Sequence, residues 1–233
     1  MQTVNQNYLD YIEATKGMSK ADIIKLLIEL IGKNNNDFYI YFGSYYQFTK
    51  NKGKFIKEPL LWKVLNYKTI KEDGFLLLLS KYLIDTLHFS YESNIYRTST
   101  IREDLNNYFY NKVFTKIDKK KIIPTIIDDY TDNVFLLARE DYENPNYFTD
   151  DNSRKASCTD YAIFLRGYQS KTTHAGTYWT RSCGPSKSSK GVVIINHKGR
   201  ITSWSPHHKC PGWHHSFSDM AYETVRPAIR IGL

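Results

Sequence analysis

The feature that most constrains this chain is how its apolar residues are distributed, in short runs stopped by glycine or polar residues. Phe38-Tyr39-Ile40-Tyr41-Phe42 is aromatic and β-branched, and Gly43 breaks it. Leu61-Trp62-Lys63-Val64-Leu65 and Gly74-Phe75-Leu76-Leu77-Leu78-Leu79 follow, with Asn66–Asp73 as the turn between them. Val134-Phe135-Leu136-Leu137, Thr177–Arg181, Gly191–Asn196 and Val225–Ile231 come later. Runs of this length and type predict strands, because branched and aromatic side chains pack well on a pleated surface. The longest, Phe75–Leu79, is far below the roughly 20 apolar residues a membrane-spanning helix needs.

Helical signals sit around these strands. The first 36 residues differ in character from the rest: Ser19-Lys20-Ala21-Asp22 reads as a capping box. Ile23, Ile24, Leu26, Leu27, Leu30 and Ile31 then recur at helical spacing until Gly32. A stripe this wide predicts a helix packed on something, either the main domain or a partner. Ser99 caps a second predicted helix carrying Leu105, Tyr108, Phe109, Val113 and Phe114, and Cys158–Ala162 opens a helical turn. The order is a helical appendage over 1–36, then strands, helices and strands over 37–233. That predicts an α+β fold, not alternating βα units.

Composition narrows the classes further. Nineteen Tyr, 12 Phe and 4 Trp make a disordered chain untenable. Thirty-two Lys and Arg against 24 Asp and Glu give a net charge of +8, spread along the chain. Nucleic acid is therefore an alternative partner, with Lys112–Lys121 as the candidate region. Cys158, Cys183 and Cys210 are an odd number without CxxC spacing, which predicts reduced thiols, with Cys183 buried and inert. The sequence starts without a basic, apolar leader, so a cytoplasmic location is expected. No phosphate-binding glycine motif, nucleophile elbow or kinase motif is present.

Several short motifs in order carry a resemblance. They are Phe42-Gly43-Ser44-Tyr45-Tyr46-Gln47, Pro59-Leu60-Leu61-Trp62-Lys63-Val64-Leu65 and Phe75 to Ser80. Ser99-Thr100-Ile101-Arg102-Glu103-Asp104-Leu105-Asn106 and Val134–Leu137 come next. Tyr178-Trp179-Thr180-Arg181-Ser182 and Val225-Arg226-Pro227-Ala228-Ile229 complete the set. From about residue 38 to the C-terminus the chain resembles a bacterial family of domains of unknown function common in Firmicutes. That family is similar to C-type-lectin-like domains of the formylglycine-enzyme and phage variable-protein kind. The resemblance implies a C-type-lectin-like scaffold over 37–233 and almost nothing about activity, since one scaffold hosts many functions. Within the shared pieces, Arg102 in the first turn of a helix opposes the dipole and calls for a buried carboxylate. Arg226 before Pro227 is expected to fix an extended backbone, and Arg181 to stack on Trp179.

The densest chemistry lies in Ser203-Trp204-Ser205-Pro206-His207-His208-Lys209-Cys210-Pro211-Gly212-Trp213-His214-His215. Imidazole and thiolate are zinc ligands, and Pro211-Gly212 could turn His207 or His208 back toward His214 or His215. The spacing matches no zinc motif, so His207, Cys210 and His214 are metal candidates only, and no cofactor is expected. Asp128-Asp129 and Asp150-Asp151 are candidate calcium ligands without a supporting motif. The expected function is a non-enzymatic binding protein presenting Trp179, Arg181, Trp204, His207, His208, Trp213 and His214 to a protein partner or a glycan. Such a binder could belong to a phage–host conflict setting. The alternatives are a zinc- or cysteine-dependent hydrolase using His207, Cys210, His214 or Cys183, and a nucleic-acid binder.

Overall fold

In the computed structural model, residues 6–7, 16–33, 38–66, 69–90, 93–184, 191–204 and 222–233 are described. The chain forms strand β1 (Gln6–Asn7), helix α1 (Lys20–Lys33), and strands β2 (Tyr39–Asn51) and β3 (Lys54–Val64). Helix α2 (Ile70–Asp73), strands β4 (Phe75–Ser80) and β5 (Asp85–His88), and helix α3 (100–113) follow. Next are α4 (Lys116–Lys119), the hairpin β6 (Thr125–Ile127) and β7 (Tyr130–Asp132), and α5 (Arg139–Glu143). After α6 (Asp151–Arg154) and α7 (Asp160–Phe164) come β8 (Tyr178–Cys183), β9 (Val192–Ile195), β10 (Ile201–Trp204), β11 (Tyr222–Val225) and β12 (Ala228–Gly232). The fold is α+β. One sheet runs β1-β2-β3-β4-β12 and a second runs β10-β9-β8-β11-β5.

The leucine run of β4 explains the arrangement. Successive strand residues point to opposite faces. Leu76 and Leu78 enter one buried cluster, with Trp62, Ile229, Ile231 and Leu105. Leu77 and Leu79 enter the other, with Phe135, Tyr142, Tyr178 and Ala228. A strand buried on both faces needs apolar residues at every position, which erases the usual alternation. β12 pairs antiparallel with β4 and shares both clusters.

Helix α1 belongs to the same core: Ile24 and Leu27 are buried in the first cluster. Ser19 accepts the Asp22 N–H at 3.2 Å, which caps the helix as predicted, while the Asp22 carboxylate reaches back to accept the Ser19 hydroxyl at 2.7 Å and not its backbone N–H. Gly43 does not end its strand. It sits at φ +67°, where the pairing of β2 with β3 shifts between Tyr41 and Ser44, so β2 bulges and continues. A Cβ there would lie 2.8 Å from Phe114 and Val113, so glycine also admits α3 against the strand.

The predicted Val225–Ile231 strand is two strands in two sheets. β11 pairs with β5 and β8, β12 pairs with β4, and Arg226-Pro227 is the crossing point. Arg226 is buried there and donates to the Ser80 and Arg154 carbonyls, both at 3.0 Å, and to the Tyr178 hydroxyl at 3.1 Å. It ties the sheets together instead of merely holding the backbone extended. The predicted Val134–Leu137 strand is an extended segment with a single bridge, Phe135 to Ala228. The Asn66–Asp73 turn contains α2, ended by Gly74 at φ +68°.

Helix α3 begins as its motif predicts, with the Ser99 hydroxyl accepting the Arg102 N–H at 3.3 Å. It then widens to a π-turn over Leu105–Phe109. Asn106 in that turn donates to the Val134 carbonyl at 2.9 Å and accepts the Asn133 N–H at 2.8 Å. One amide side chain therefore clasps the 133–134 backbone to the helix. Tyr108 falls on the outer side of the turn and is 56% exposed, not a core residue.

Candidate functional site

A cleft of about 700 Å³ opens between the β6–β7 hairpin, the turn before α3, α5 and the ends of β8 and β12. Its floor is set by strand alternation: Arg230 lies on the same side of β12 as Ala228, facing Phe135 and Leu137. Arg181 reaches the floor from β8, donating to the Leu136 carbonyl at 2.8 Å and to Asp141 Oδ2 at 3.0 Å. The same Asp141 oxygen accepts the Ala138 N–H at 2.7 Å, which closes the first turn of α5 and fixes the carboxylate. Tyr130 and Tyr147 line the walls, and Ile126, 76% exposed, stands on the rim.

The two arginines differ in their electrostatics. Arg181 has a carboxylate. Arg230 has none among the described residues, and its Nε is buried without a hydrogen-bond partner. Its guanidinium lies 4.5 Å from the centre of the Phe75 ring. Burial lowers its pKa, an effect opposed by Tyr147, Asp73 and Asp141 and reinforced by Arg181. A partly desolvated cation next to a second cation is costly unless an anion joins it. The rim is acidic: Asp128, at φ +53° in the hairpin turn, and Glu140 are exposed, while Asp129 pairs with Arg97. A ligand with a carboxylate at the floor and a cationic group at the rim fits both charges.

The residues expected from sequence are distributed differently. Trp179 is fully buried, with its indole N–H donating to the Leu87 carbonyl at 3.0 Å and its ring against Phe89. It is a core residue and is not presented on a loop. Arg181 does line the cleft, but through Asp141 rather than by stacking on Trp179. Trp204 ends β10 in backbone terms, and its side chain lies outside the described residues. His207, His208, Cys210, Trp213 and His214 also lie outside them, so the zinc candidates are not placed. Among the described residues no group of three His, Cys, Asp or Glu side chains could hold a metal ion.

Cys183 is exposed at the cleft mouth, not buried, and its thiol donates to the Asn94 carbonyl at 3.2 Å. Asp150 caps α6 and Asp151 pairs with Arg154, so the second acidic pair is structural. Arg102 finds the buried carboxylate its position called for, in Asp132. The residue that sequence reasoning missed is Arg230. Its signal is a lone charge inside the apolar β12 run, where only a functional or a paired cation belongs.

The fold and this cleft define a compactly cored α+β domain with an arginine-floored recess. The chain belongs to a family of domains of unknown function, DUF6273, whose pattern matches residues 73–233. The match starts just before β4, so the motifs over 42–47 and 59–65 precede it. No curated protein and no solved structure matches the chain.

Proposed function

We propose that the protein is a non-enzymatic binding protein whose cleft receives a carboxylate of a partner polypeptide. The observation that carries this reading is Arg230, a partly buried guanidinium that no carboxylate among the described residues pairs, at the floor of an open recess. A peptide supplies what the cleft lacks: a carboxylate for Arg230, apolar side chains for Ile126 and Tyr147, and a basic group for Asp128 and Glu140. Arg181, held by Asp141, would provide a second donor face without needing to reorient, which limits the ordering cost of binding. We read the scaffold as C-type-lectin-like. Support comes from the pairing of the first and last strands of the family segment, β4 with β12, which closes that segment on itself.

The test is fluorescence anisotropy of an arrayed set of peptides bearing free C-terminal or side-chain carboxylates, each matched to its amide. The reading expects a subset of the carboxylates to bind and their amides to lose at least tenfold in affinity. It also expects Arg230→Met to abolish the preference. Equal binding of acid and amide, or an unchanged preference in Arg230→Met, overturns it.

A further inference from the structure

A second surface, sharing no residue with the cleft, is built from aromatic rings and lysines. The β2–β3 hairpin packs on α7, placing Phe55 5.6 Å from Phe164 and 5.2 Å from Tyr161 between ring centres. Tyr161 lies 5.1 Å from Tyr46. Lys112 of α3 then bridges onward, its ammonium 4.8 Å from the centre of Tyr46 and 4.5 Å from that of Tyr108. Phe164 is 67% exposed and Tyr108 more than half exposed, while Phe55, Tyr46 and Tyr161 are half-buried. The result is a continuous strip of five rings at the surface.

Cations surround this strip. Lys50 stands 4.5 Å from the centre of Phe55, and Lys57 donates to the Lys112 carbonyl. Lys52 and Lys54 flank Gly53 at the hairpin tip, both exposed. None of these five lysines pairs with a carboxylate among the described residues. Of the nearby carboxylates, Glu58 accepts the Thr49 N–H at 2.7 Å and Asp85 accepts the Tyr45 hydroxyl beneath the strip, while Asp160, at the start of α7, is exposed, so five lysines face one exposed carboxylate. An excess of unpaired ammonium groups around stackable rings is unlike a solvated charged face, where lysines alternate with carboxylates.

We infer that this strip binds single-stranded nucleic acid, with bases against Phe164, Phe55, Tyr161, Tyr46 and Tyr108 and phosphates against Lys50, Lys57 and Lys112. Rings give sequence-tolerant stacking, lysines track the phosphates, and half-buried rings are already ordered before a base arrives. An acidic peptide would use the lysines and leave the rings idle. An anionic membrane would also draw on rings and lysines, and the vesicle arm of the test separates it from the oligomer.

The experiment is anisotropy of a fluorescein-labelled 12-mer deoxythymidine oligomer on the full chain. Controls are an abasic oligomer of equal charge, poly-aspartate, and vesicles containing phosphatidylserine. The expected result is binding that weakens with salt, and roughly tenfold weaker binding of the abasic strand. Phe164→Ser and Tyr108→Ala, both surface changes, should each weaken the thymidine oligomer by roughly tenfold without altering its salt slope. Lys50→Gln with Lys112→Gln should reduce that slope by roughly 1.4, at about 0.7 per phosphate contact. The inference is overturned if the abasic strand or poly-aspartate binds as tightly as the thymidine oligomer. Unchanged affinity in both ring variants, or binding of vesicles in place of the oligomer, overturns it equally.

Discussion

Arg102 Nε sits 2.8 Å from Asp132 Oδ1, and the carboxylate is fully enclosed while the guanidinium lies 4.4 Å from the Tyr130 ring centre. The remaining guanidinium nitrogens donate to the Arg97 and Thr131 carbonyls, so one side chain joins the start of α3 to the hairpin that walls the cleft. Burial holds the Asp132 carboxyl above the usual carboxylate range, and Arg102 and Arg181 oppose that rise. Removing Arg102 leaves a desolvated carboxylate behind. Arg102→Met should therefore lose about 3 kcal/mol or more in chemical denaturation. Adding Asp132→Asn should restore a large part of that loss, because the uncompensated charge then disappears. A single variant as stable as the wild type would show that the pair is not the clasp described.

Arg230 should behave in the opposite way. It forms no salt bridge among the described residues, with Asp73 and Asp141 acting on it only at longer range, so Arg230→Met keeps the packing against Phe75 and removes a cation that no described carboxylate pairs. Its unfolding free energy should stay within about 1 kcal/mol of wild type or rise, the pattern of a residue kept for function at the expense of stability. A loss comparable with that of Arg102→Met would make Arg230 a structural residue and remove the basis for the peptide reading.

Glu223 on β11 introduces a pH dependence. Burial pushes its carboxyl up to about 7 from 4.5. The folded state thus holds this proton more tightly than the unfolded state. The stability it contributes is complete below pH 4.5, falls as pH rises toward 7, and stays lost above. The shift corresponds to at most about 3 kcal/mol. Glu223→Gln should flatten the melting temperature between pH 5 and 8, with its largest gain at pH 8. A parallel pH profile in both proteins would refute the assignment.

The thiols should separate by reactivity. Cys158 is buried, and burial, aided by Glu223, pushes its thiol up to about 12. Cys183 is exposed but also raised by burial of its sulfur, so exposure alone does not make it a strong nucleophile. Iodoacetamide followed by peptide mass spectrometry should label Cys183 slowly at pH 7 and much faster at pH 9. Cys158 should label only on unfolding. Rapid labelling of Cys183 at pH 7 would instead point to an activated thiol and the hydrolase alternative.

What could be read from sequence follows from how local the determining physics is. The α1 cap, the Ser99 cap and the apolar strands β3, β4 and β9 depend on neighbours within a few residues, and they were legible. Trp179 was misplaced because β8 is buried on both faces at Tyr178 and Trp179, leaving no alternation to distinguish core from surface. Tyr108, at helical spacing with the buried Leu105 and Phe109, faces outward because the π-turn rotates the helix by an amount that a regular helical period does not contain. The cleft was illegible for a stronger reason. Arg97, Asp141, Arg181 and Arg230 come from four separate elements, and only the tertiary fold makes them neighbours. Arg226 shows the same limit: its motif position was visible, while its partners, Ser80 and Arg154, lie far away in sequence.

The pairing of β12 with β4 has a consequence for biosynthesis. During translation β4 emerges early, with both of its leucine faces still lacking the partner that closes the sheet edge. Leu76, Leu77, Leu78 and Leu79 wait through most of the chain until Ala228–Gly232 leaves the ribosome. A nascent chain halted before that point carries an adhesive leucine-rich strand with an open edge, the kind of segment that chaperones shield and that aggregates when they do not. The final residues of β12 therefore act as a completion signal for the domain. Any stop codon ahead of them should yield an insoluble product rather than a smaller working one.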